Sequence, residues 1–497
     1  MNKLYITNSL SRQKEEFQPL NPPYVGMYVC GPTVSGESHL GHARPYVTFD
    51  VLYRWLMHLG YKVRYVRNIT DAGHFEEEGR EAEDKVGKKA KLEQLEPMEL
   101  VQKYTNLYHD MMDELNCLRP SIEPTATGHI VEQIDMIQEI MHKGLAYVSN
   151  GSVYFDVIQY AKNNDYGRLS GRVLDEMISG SRDLDGQDEK RHSADFALWK
   201  NAPPEHIQRW NSPWGEGFPG WHIECSAMAT KYLGAQFDIH GGGMDLQFPH
   251  HESEIAQSKT ASGKEPVKYW MHNNMITING RKMGKSYNNT ITLRELFFGN
   301  HPELKQAFHP MVVRFFILQT QYRGTLDFSN EALMAAEKGF ERLINTLASL
   351  HNLHHPGAIT QGSQDQEFKN LSNALVEQMN DDLNTAQVIA TLFELASRFN
   401  ALKNLQTPWS VISEDIFNQT KSTFTFFIND ILALKPSTLA AGDDNALDQT
   451  IQILIELRKE AKAKKDYATS DAIRNKLINA GIQLKDEKDG TVSWNKQ

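Results

Sequence analysis

Three cysteines in 497 residues, Cys30, Cys117 and Cys225, are too few and too scattered to form a disulfide framework. So little cross-linking chemistry leads us to expect a reducing, cytoplasmic setting. The chain also lacks any apolar run of about 18 residues or more, so no membrane span is expected. Its opening stretch, MNKLYITNSLSRQKEEF, has neither the apolar segment nor the small-residue cleavage site of a secretory signal. Positive charge is in deficit: 52 Lys and Arg against 63 Asp and Glu give a formal net charge of -11. That balance argues against indiscriminate nucleic-acid binding, yet leaves room for a local basic face on an acidic whole.

What is present is an ordinary globular composition, 40% hydrophobic and 23% charged, at a length that predicts roughly two to four domains. YVGMYVCGPT reads as a buried strand entering a Gly-Pro turn. SHLGHARPYVTFDVLYRWLMHLG then spaces Val51, Leu52, Trp55, Leu56 and Leu59 along one helix face and stops at Gly60. YKVRYVRNITD alternates as a strand. Strand, helix, strand is a βαβ opening, and α/β folds place ligands at the ends of such strands. The acidic run over 76–84 reads as an exposed loop or helix start. From about 96 to 210, helical segments, short strands and the loop-rich polar run RDLDGQDEKRHSADFALWKNAPPE suggest an insertion into the α/β domain. Past 324 the pattern is a helical bundle. LAAGDDNALD, 439–448, is a linker by composition. A small tail domain follows, where Asp489-Gly490 predicts a hairpin.

Several groups can carry chemistry. Cys225 lies in GWHIECSAM, and His250 and Glu254 are spaced i, i+4 in PHHESEIAQ, on one face of a helix. Cysteine, histidine and glutamate are zinc ligands, and Cys30, just past the first strand, can supply a fourth. A lone cysteine is also commonly a small buried hydrophobe, and His222, His240 and His251 are competing donors. In HLGH, His39 and His42 flank Gly41 at the start of a helix, where backbone amides favour phosphate; the plainer reading is that His39 caps or packs. The glycines of HGGGMD, 240–245, predict close approach of a nucleotide or of another strand. KMGKS, 282–286, offers two flexible point charges near Gly284, suited to a triphosphate. From those five residues alone a solvated basic turn is the stronger reading, and no GxxxxGK[ST] phosphate loop surrounds them.

HLGH after the first strand and KMGKS late in the α/β region resemble the paired signature elements of the class I aminoacyl-tRNA synthetases. YVCGPTV (28–34), VRNITD (66–71), FPGWHIECSAM (218–228), FDIHGGGMDLQFPHHESEIAQS (237–258) and the tail sequence AKAKKDYATSDAIRNKL narrow the resemblance to the cysteinyl-tRNA synthetase family, over essentially the whole chain. The resemblance implies an α/β fold class: a Rossmann-like parallel-sheet catalytic domain (1–114 and 211–323) with an inserted connective domain (115–210). An α-helical anticodon-side bundle (324–438) and a small α+β tRNA-binding domain (449–497) follow. It implies one zinc ion per chain on Cys30, Cys225, His250 and Glu254, with ATP as substrate together with Mg2+. His39, Gly41, His42, Gly241, Gly242, Asp245 and Lys285 would face ATP. Gly31, Thr70, Trp221 and His240 would line the amino-acid pocket, and Lys285, with Lys282 as its weaker partner, would stabilise the transferring phosphates.

The implied partners are L-cysteine, ATP and tRNA(Cys), with the chain expected to work as a monomer. Two departures stand out: Gly284 replaces the usual serine of the lysine loop, and AGHF replaces an IDDK-like run after NITD, leaving His74 without a role. The implied chemistry is attack of the cysteine carboxylate on the α-phosphorus of ATP, then transfer to a ribose hydroxyl at the tRNA 3′ end. No protein nucleophile is required. A relative that passes the same adenylate to a non-tRNA amine is the rival reading, and it has little use for the residues past 324. In the tail, seven basic residues between 458 and 476 (Arg458, Lys459, Lys462, Lys464, Lys465, Arg474 and Lys476) against three acids suggest a phosphate-facing helix. Tyr467 and Trp494 can stack on bases or pack the small domain.

Overall fold

The computed structural model describes residues 3–73, 85–93, 95–174, 189–204, 206–284, 287, 289–357, 359–435, 450, 451, 453–462, 464, 466–479, 482–486 and 492–496. The acidic run over 76–84, His74, Lys285, Ser286, Lys465, the 439–448 linker and the Asp489-Gly490 turn therefore lie outside the described residues. The chain divides into two compact units, Met1–Leu434 and Lys435–Gln497.

In the first unit a hairpin, β1 (Tyr5–Asn8) and β2 (Gln13–Glu16), precedes β3 (Tyr24–Val29), α1 (Leu40–His58) and β4 (Lys62–Arg67). β3 and β4 pair in parallel, as expected of a βαβ unit. α2 (Lys85–Glu93), α3 (Pro97–Glu114) and α4 (Ile130–His142) lead into β5 (Ala146–Ser149), β6 (Ser152–Phe155), α5 (Val157–Ala161), β7 (Phe196–Asn201), β8 (Trp210–Ser212) and β9 (Gly215–Pro219). These five strands form a separate sheet in the order β5-β6-β7-β9-β8, antiparallel throughout. Strand β7 corrects the reading of 182–205 as a loop-rich polar run. Phe196, Leu198 and Trp199 are buried while Lys200 and Asn201 point to polar surroundings, so only part of the strand carries an apolar signal. The sheet also continues past residue 210, to Pro219.

The chain then returns to the parallel sheet through α6 (Trp221–Leu233), β10 (Phe237–Gly243), α7 (His250–Ser262) and β11 (Val267–Asn273). The four-stranded order β11-β10-β3-β4 is parallel at every pairing. All four carboxyl ends therefore open on one edge, and Cys30, Asn68, His240 and His272 lie at or near it. Three glycines in β10 look costly, but Gly241 has a packing reason. A Cβ there would lie 2.0 Å from the ring of Phe49 on α1, so the helix and the strand interlock at that point.

β12 (Ile276–Ile278) pairs antiparallel with β13 (Arg281–Lys282) and parallel with β14 (Leu326–Phe328). Between them lie α8 (Leu293–Phe298), started by a Thr292–Glu295 capping box, and α9 (Pro310–Leu318). The bundle consists of α10 (Asn330–His351), α11 (Asp365–Asn380), α12 (Thr385–Lys403) and α13 (Glu414–Phe426). Leu333, Leu343 and Leu350 on α10 and Leu392, Leu395 and Phe399 on α12 are buried at helical spacing. They join the hydrophobic core that also contains Trp55 and Leu56 of α1. In the second unit, helical residues 450, 451 and 453–462 and the helix Tyr467–Asn479 pack Ile451, Ile455 and Leu477 against the antiparallel pair Ile482–Asp486 and Val492–Lys496. Arg458 is buried, whereas Lys459, Lys462, Lys464, Arg474, Lys476 and Tyr467 are exposed.

Candidate active site

Two groups of side chains meet the carboxyl edge of the parallel sheet. The first is a dry cluster. Cys30 follows β3, Cys225 lies on α6, and His250 and Glu254 sit one turn apart on α7, all buried. The Sγ atoms of Cys30 and Cys225 are 3.8 Å apart. That is too far for a disulfide, and it matches the edge of a tetrahedron whose metal–sulfur bonds are about 2.3 Å. His250 Nε2 lies 3.1 Å from Glu254 Oε1, and Cys30 Sγ lies 3.9 Å from the same oxygen. One donor atom from each of the four falls within 4.8 Å of the others.

The surroundings fix the orientation of these donors. His222 and His250 share a 2.9 Å hydrogen bond between their Nδ1 atoms, which directs His250 Nε2 toward the cluster. Trp221 stacks on His250 with ring centres 4.4 Å apart. His240 holds Glu254 Oε2 at 2.8 Å, leaving Oε1 for the cluster. A second tetrad, Cys30, His240, His251 and Glu254, overlaps the first. His251 Nε2 is 3.2 Å from Cys30 Sγ, and its Nδ1 is 2.7 Å from His272 Nε2; His272 in turn meets Ser9 Oγ at 2.8 Å. Burial, reinforced by His240, pushes the His251 imidazole well below its ordinary pKa, and burial brings His272 down to about 3. Burial and the neighbouring Cys225 push the Cys30 thiol well up. For Cys225, the hydrogen bond to Cys30 favours the thiolate, but burial and Glu254 outweigh it and leave the thiol raised. Two soft thiols, an imidazole and a carboxylate held this close suit a thiophilic cation.

Thr70 and Gly31 adjoin the cluster through Asn68. Asn68 Oδ1 accepts the Gly31 N–H at 2.8 Å and lies 3.7 Å from Cys225 Sγ, and its Nδ2 donates to Thr70 Oγ1 at 3.0 Å. Thr70 donates on to the buried Glu224 at 3.0 Å. A Cβ on Gly31 would lie 1.5 Å from the Asn68 carbonyl oxygen, so only glycine fits there. Asn68, Glu224 and His272 escaped sequence reasoning. Each is a polar residue of a common type whose partners come from distant segments, and only the NITD stretch around Asn68 gave any signal.

The second group lies at the start of α1. His39 is its N-cap, and its backbone N–H donates to His42 Nδ1 at 3.2 Å. The two rings stack with centres 3.8 Å apart and an interplanar angle of 17°. His39, Gly41 and His42 are half-buried, Lys282 is exposed and Asp245 is exposed. HLGH and KMGKS touch directly: a Cβ on Gly41 would lie 2.7 Å from the Met283 methyl carbon. Asn289 ties the loop off, accepting the Gly284 N–H at 2.9 Å and donating to the Lys282 carbonyl at 3.1 Å. The segment that follows runs antiparallel to the approach to α1, with a bridge between His39 and Thr292 and a 2.8 Å bond from the Leu293 N–H to the Ser38 carbonyl. Gly241 meets Phe49 and Gly242 lies against Leu246 and His251, so the nearest neighbours of both β10 glycines are side chains of the protein.

Comparison with known proteins shows the family of the chain. The family described as tRNA synthetases class I (C) catalytic domain matches residues 16–338, and the DALR domain family matches 374–433. The chain is 58% identical over 490 residues to the cysteine--tRNA ligase of Bacteroides thetaiotaomicron, covering 98% of each chain. It is 46% identical over 507 residues to that of Chlorobaculum tepidum, covering 100% of each. Among solved structures, methionyl-tRNA synthetase of Mycobacterium tuberculosis with methionyl-adenylate aligns at a TM-score of 0.55 and 14% identity, over 82% of this chain and 89% of that one. LeuRS of Agrobacterium radiobacter aligns at 0.56 and 13%, over 84% and 87%. At those identities the structural likeness speaks for the fold alone, a Rossmann-like parallel sheet with helical and small α+β parts.

Proposed function

The chain belongs to the cysteinyl-tRNA synthetase family of class I aminoacyl-tRNA synthetases, and from that premise we propose that it is a cysteine--tRNA ligase. It forms cysteinyl-adenylate from L-cysteine and ATP and transfers the cysteinyl group to tRNA(Cys). The observation that carries this reading is the near end-to-end identity with cysteine--tRNA ligases, together with the buried Cys/His/Glu cluster at the sheet edge. No helix among the described residues is long and apolar enough to cross a membrane. A cytoplasmic enzyme fits the low cysteine content, and a monomer is its proposed working state.

Cys30, Cys225, His250 and Glu254 are the proposed zinc ligands, one ion per chain. Bound there, zinc supplies a soft Lewis acid for the thiolate of the substrate. This addresses a selection problem that pocket size handles poorly, since a one-atom difference in a pocket is worth only about 1–3 kcal/mol. Sulfur outcompetes oxygen on a thiophilic metal, so zinc held there would disfavour serine at the binding step. Thr70, Gly31, Trp221 and His240 line the amino-acid side of the pocket, with Trp221 and His240 packed on the ligands themselves. Asp245, Gly241 and Gly242 are the residues proposed for the nucleotide side, although side chains of the protein are the nearest neighbours of both glycines, and Mg2+ is the expected companion of ATP.

The chain's remaining work is positional. The substrate carboxylate must approach the α-phosphorus in line as pyrophosphate leaves, and the helix N-terminus at His39–His42 favours the phosphate charge there. Lys282 and Lys285 follow that charge as it moves to the leaving group. The 3′-terminal ribose hydroxyl then attacks the activated carbonyl and AMP departs. The exposed cations between 458 and 476 are the proposed phosphate contacts of the small domain.

The test is ATP–pyrophosphate exchange with cysteine and with serine, on enzyme stripped of zinc and then reconstituted, alongside aminoacylation of unfractionated tRNA. Cysteine-dependent exchange that needs zinc, and cysteine but not serine on tRNA, is the expected result. A folded, metal-free enzyme that still strongly prefers cysteine would overturn the assignment of zinc as the selectivity device. Exchange without transfer to tRNA would favour an amine acceptor.

A further inference from the structure

One buried carboxylate is joined to more of the molecule than a bundle loop requires. Asp382, between α11 and α12, is almost fully buried and adopts φ 61°, unusual outside glycine. Its Oδ1 accepts from the Thr7 N–H and the Tyr322 hydroxyl, both at 2.7 Å. Its Oδ2 accepts from Thr7 Oγ1 at 2.7 Å, Arg323 Nε at 2.7 Å and Gln321 Nε2 at 3.3 Å. Three of its four partner residues are consecutive, 321 to 323, in the turn between α9 and β14.

The opposite side of that turn is held by Arg44. This side chain leaves α1 less than two turns after HLGH and is buried, and among the described residues its guanidinium donates to backbone carbonyls. These are Met275 O at 2.6 Å, Tyr322 O at 3.3 Å and Gly324 O. Those carbonyls flank the starts of β12 and β14. β14 pairs with β12, and Asp327 adds hydrogen bonds to Thr277 Oγ1 at 2.5 Å and to the Gly280 N–H at 2.8 Å. β12 pairs in turn with β13, which contains Lys282 and opens KMGKS. The 321–324 turn is thus gripped by the HLGH helix on one side and by the bundle on the other, at the root of the lysine loop.

Resting on the adenylate-forming activity above, we infer that Asp382 and Arg44 are positioning residues that set the KMGKS strand pair against HLGH through the 321–324 turn. Neither touches the reacting atoms. A group displaced by about 1 Å from its productive place can cost up to about a hundredfold in rate, and the clamp fixes the base from which that loop extends.

The test compares steady-state pyrophosphate exchange of Y322F, D382N and R44K with wild type and with D365N. Asp365 is a control carboxylate in the same bundle, holding the Ser413 and Gly362 N–H groups at 2.7 and 2.9 Å. The expected result is a fall in exchange kcat of about tenfold or more for D382N and R44K, and less for Y322F, which removes one hydroxyl. KM for cysteine and zinc content should stay within about twofold of wild type, and D365N should keep its kcat. R44K retains the charge but lacks the fork that spans three carbonyls, so it should not rescue. Full exchange rates in Y322F and D382N, or an equal loss in D365N, would overturn the clamp. Absence of cysteine-dependent exchange in the wild type would overturn the activity and the clamp with it.

Discussion

The cluster around Cys30 and the edge between HLGH and KMGKS lie at the same end of the sheet but are built in opposite ways. The cluster is dry and redundant: every proposed ligand is buried, and His222 and His240 orient two of them. The edge is half-exposed, and among its described residues a methionine methyl meets a glycine, Asn289 bonds to Gly284 and Lys282, and His39 bridges Thr292. Recognition of one sulfur atom needs fixed donors at fixed distances. Stabilising charge that travels along a triphosphate needs cations on flexible stems. In the roles proposed, discrimination falls to the buried group and charge stabilisation to the half-exposed one.

The contrast breaks most visibly if a ligand is removed. Cys225→Ser and His250→Asn should lose zinc and lower cysteine activation by about a hundredfold or more, since even residues that merely support a metal site cost up to about a hundredfold. Metal analysis with pyrophosphate exchange reads both effects. His251→Asn should retain zinc, and its loss instead would move the site to the overlapping tetrad. The next largest effect lies at the edge. Lys285→Ala should cut adenylate formation by about a hundredfold with zinc content unchanged, the scale of one lost transition-state donor. A smaller effect, about tenfold on the same assay, is expected of Gly41→Ala, whose methyl displaces Met283 and shifts the loop. The smallest is chemical. Burial raises the Cys117 pKa to about 12, so iodoacetamide at pH 8 should leave Cys117 unmodified, with or without a chelator. Peptide mapping of the alkylated protein checks this.

The same contrast governs how much of the molecule was legible in the sequence. Cysteine rarity and the helical spacing of His250 and Glu254 marked the proposed ligands as candidates, while the set of four came from the family resemblance. HLGH and KMGKS were recognisable as a pair, but their contact through Met283 and Gly41 was not, since it joins segments some 240 residues apart. Histidine was ambiguous: His222, His240 and His251 read alike in sequence, and the structure still brings His240 and His251 into a second tetrad with Cys30 and Glu254. Arg44 and Asp382 left no signal, because a buried charge looks like any other charge until its partners are known. The parallel sheet was visible in its first βαβ unit, while β7 was hidden in a polar run by having only part of its length against a core.

The interlock of Phe49 with Gly241 links two stretches that mutate independently but pack as one. A larger residue at 241 is tolerable only if 49 shrinks, and a smaller ring at 49 leaves a void unless 241 grows. Across homologous chains the two positions should therefore covary, and a swap made at both together should restore the stability that either change alone removes.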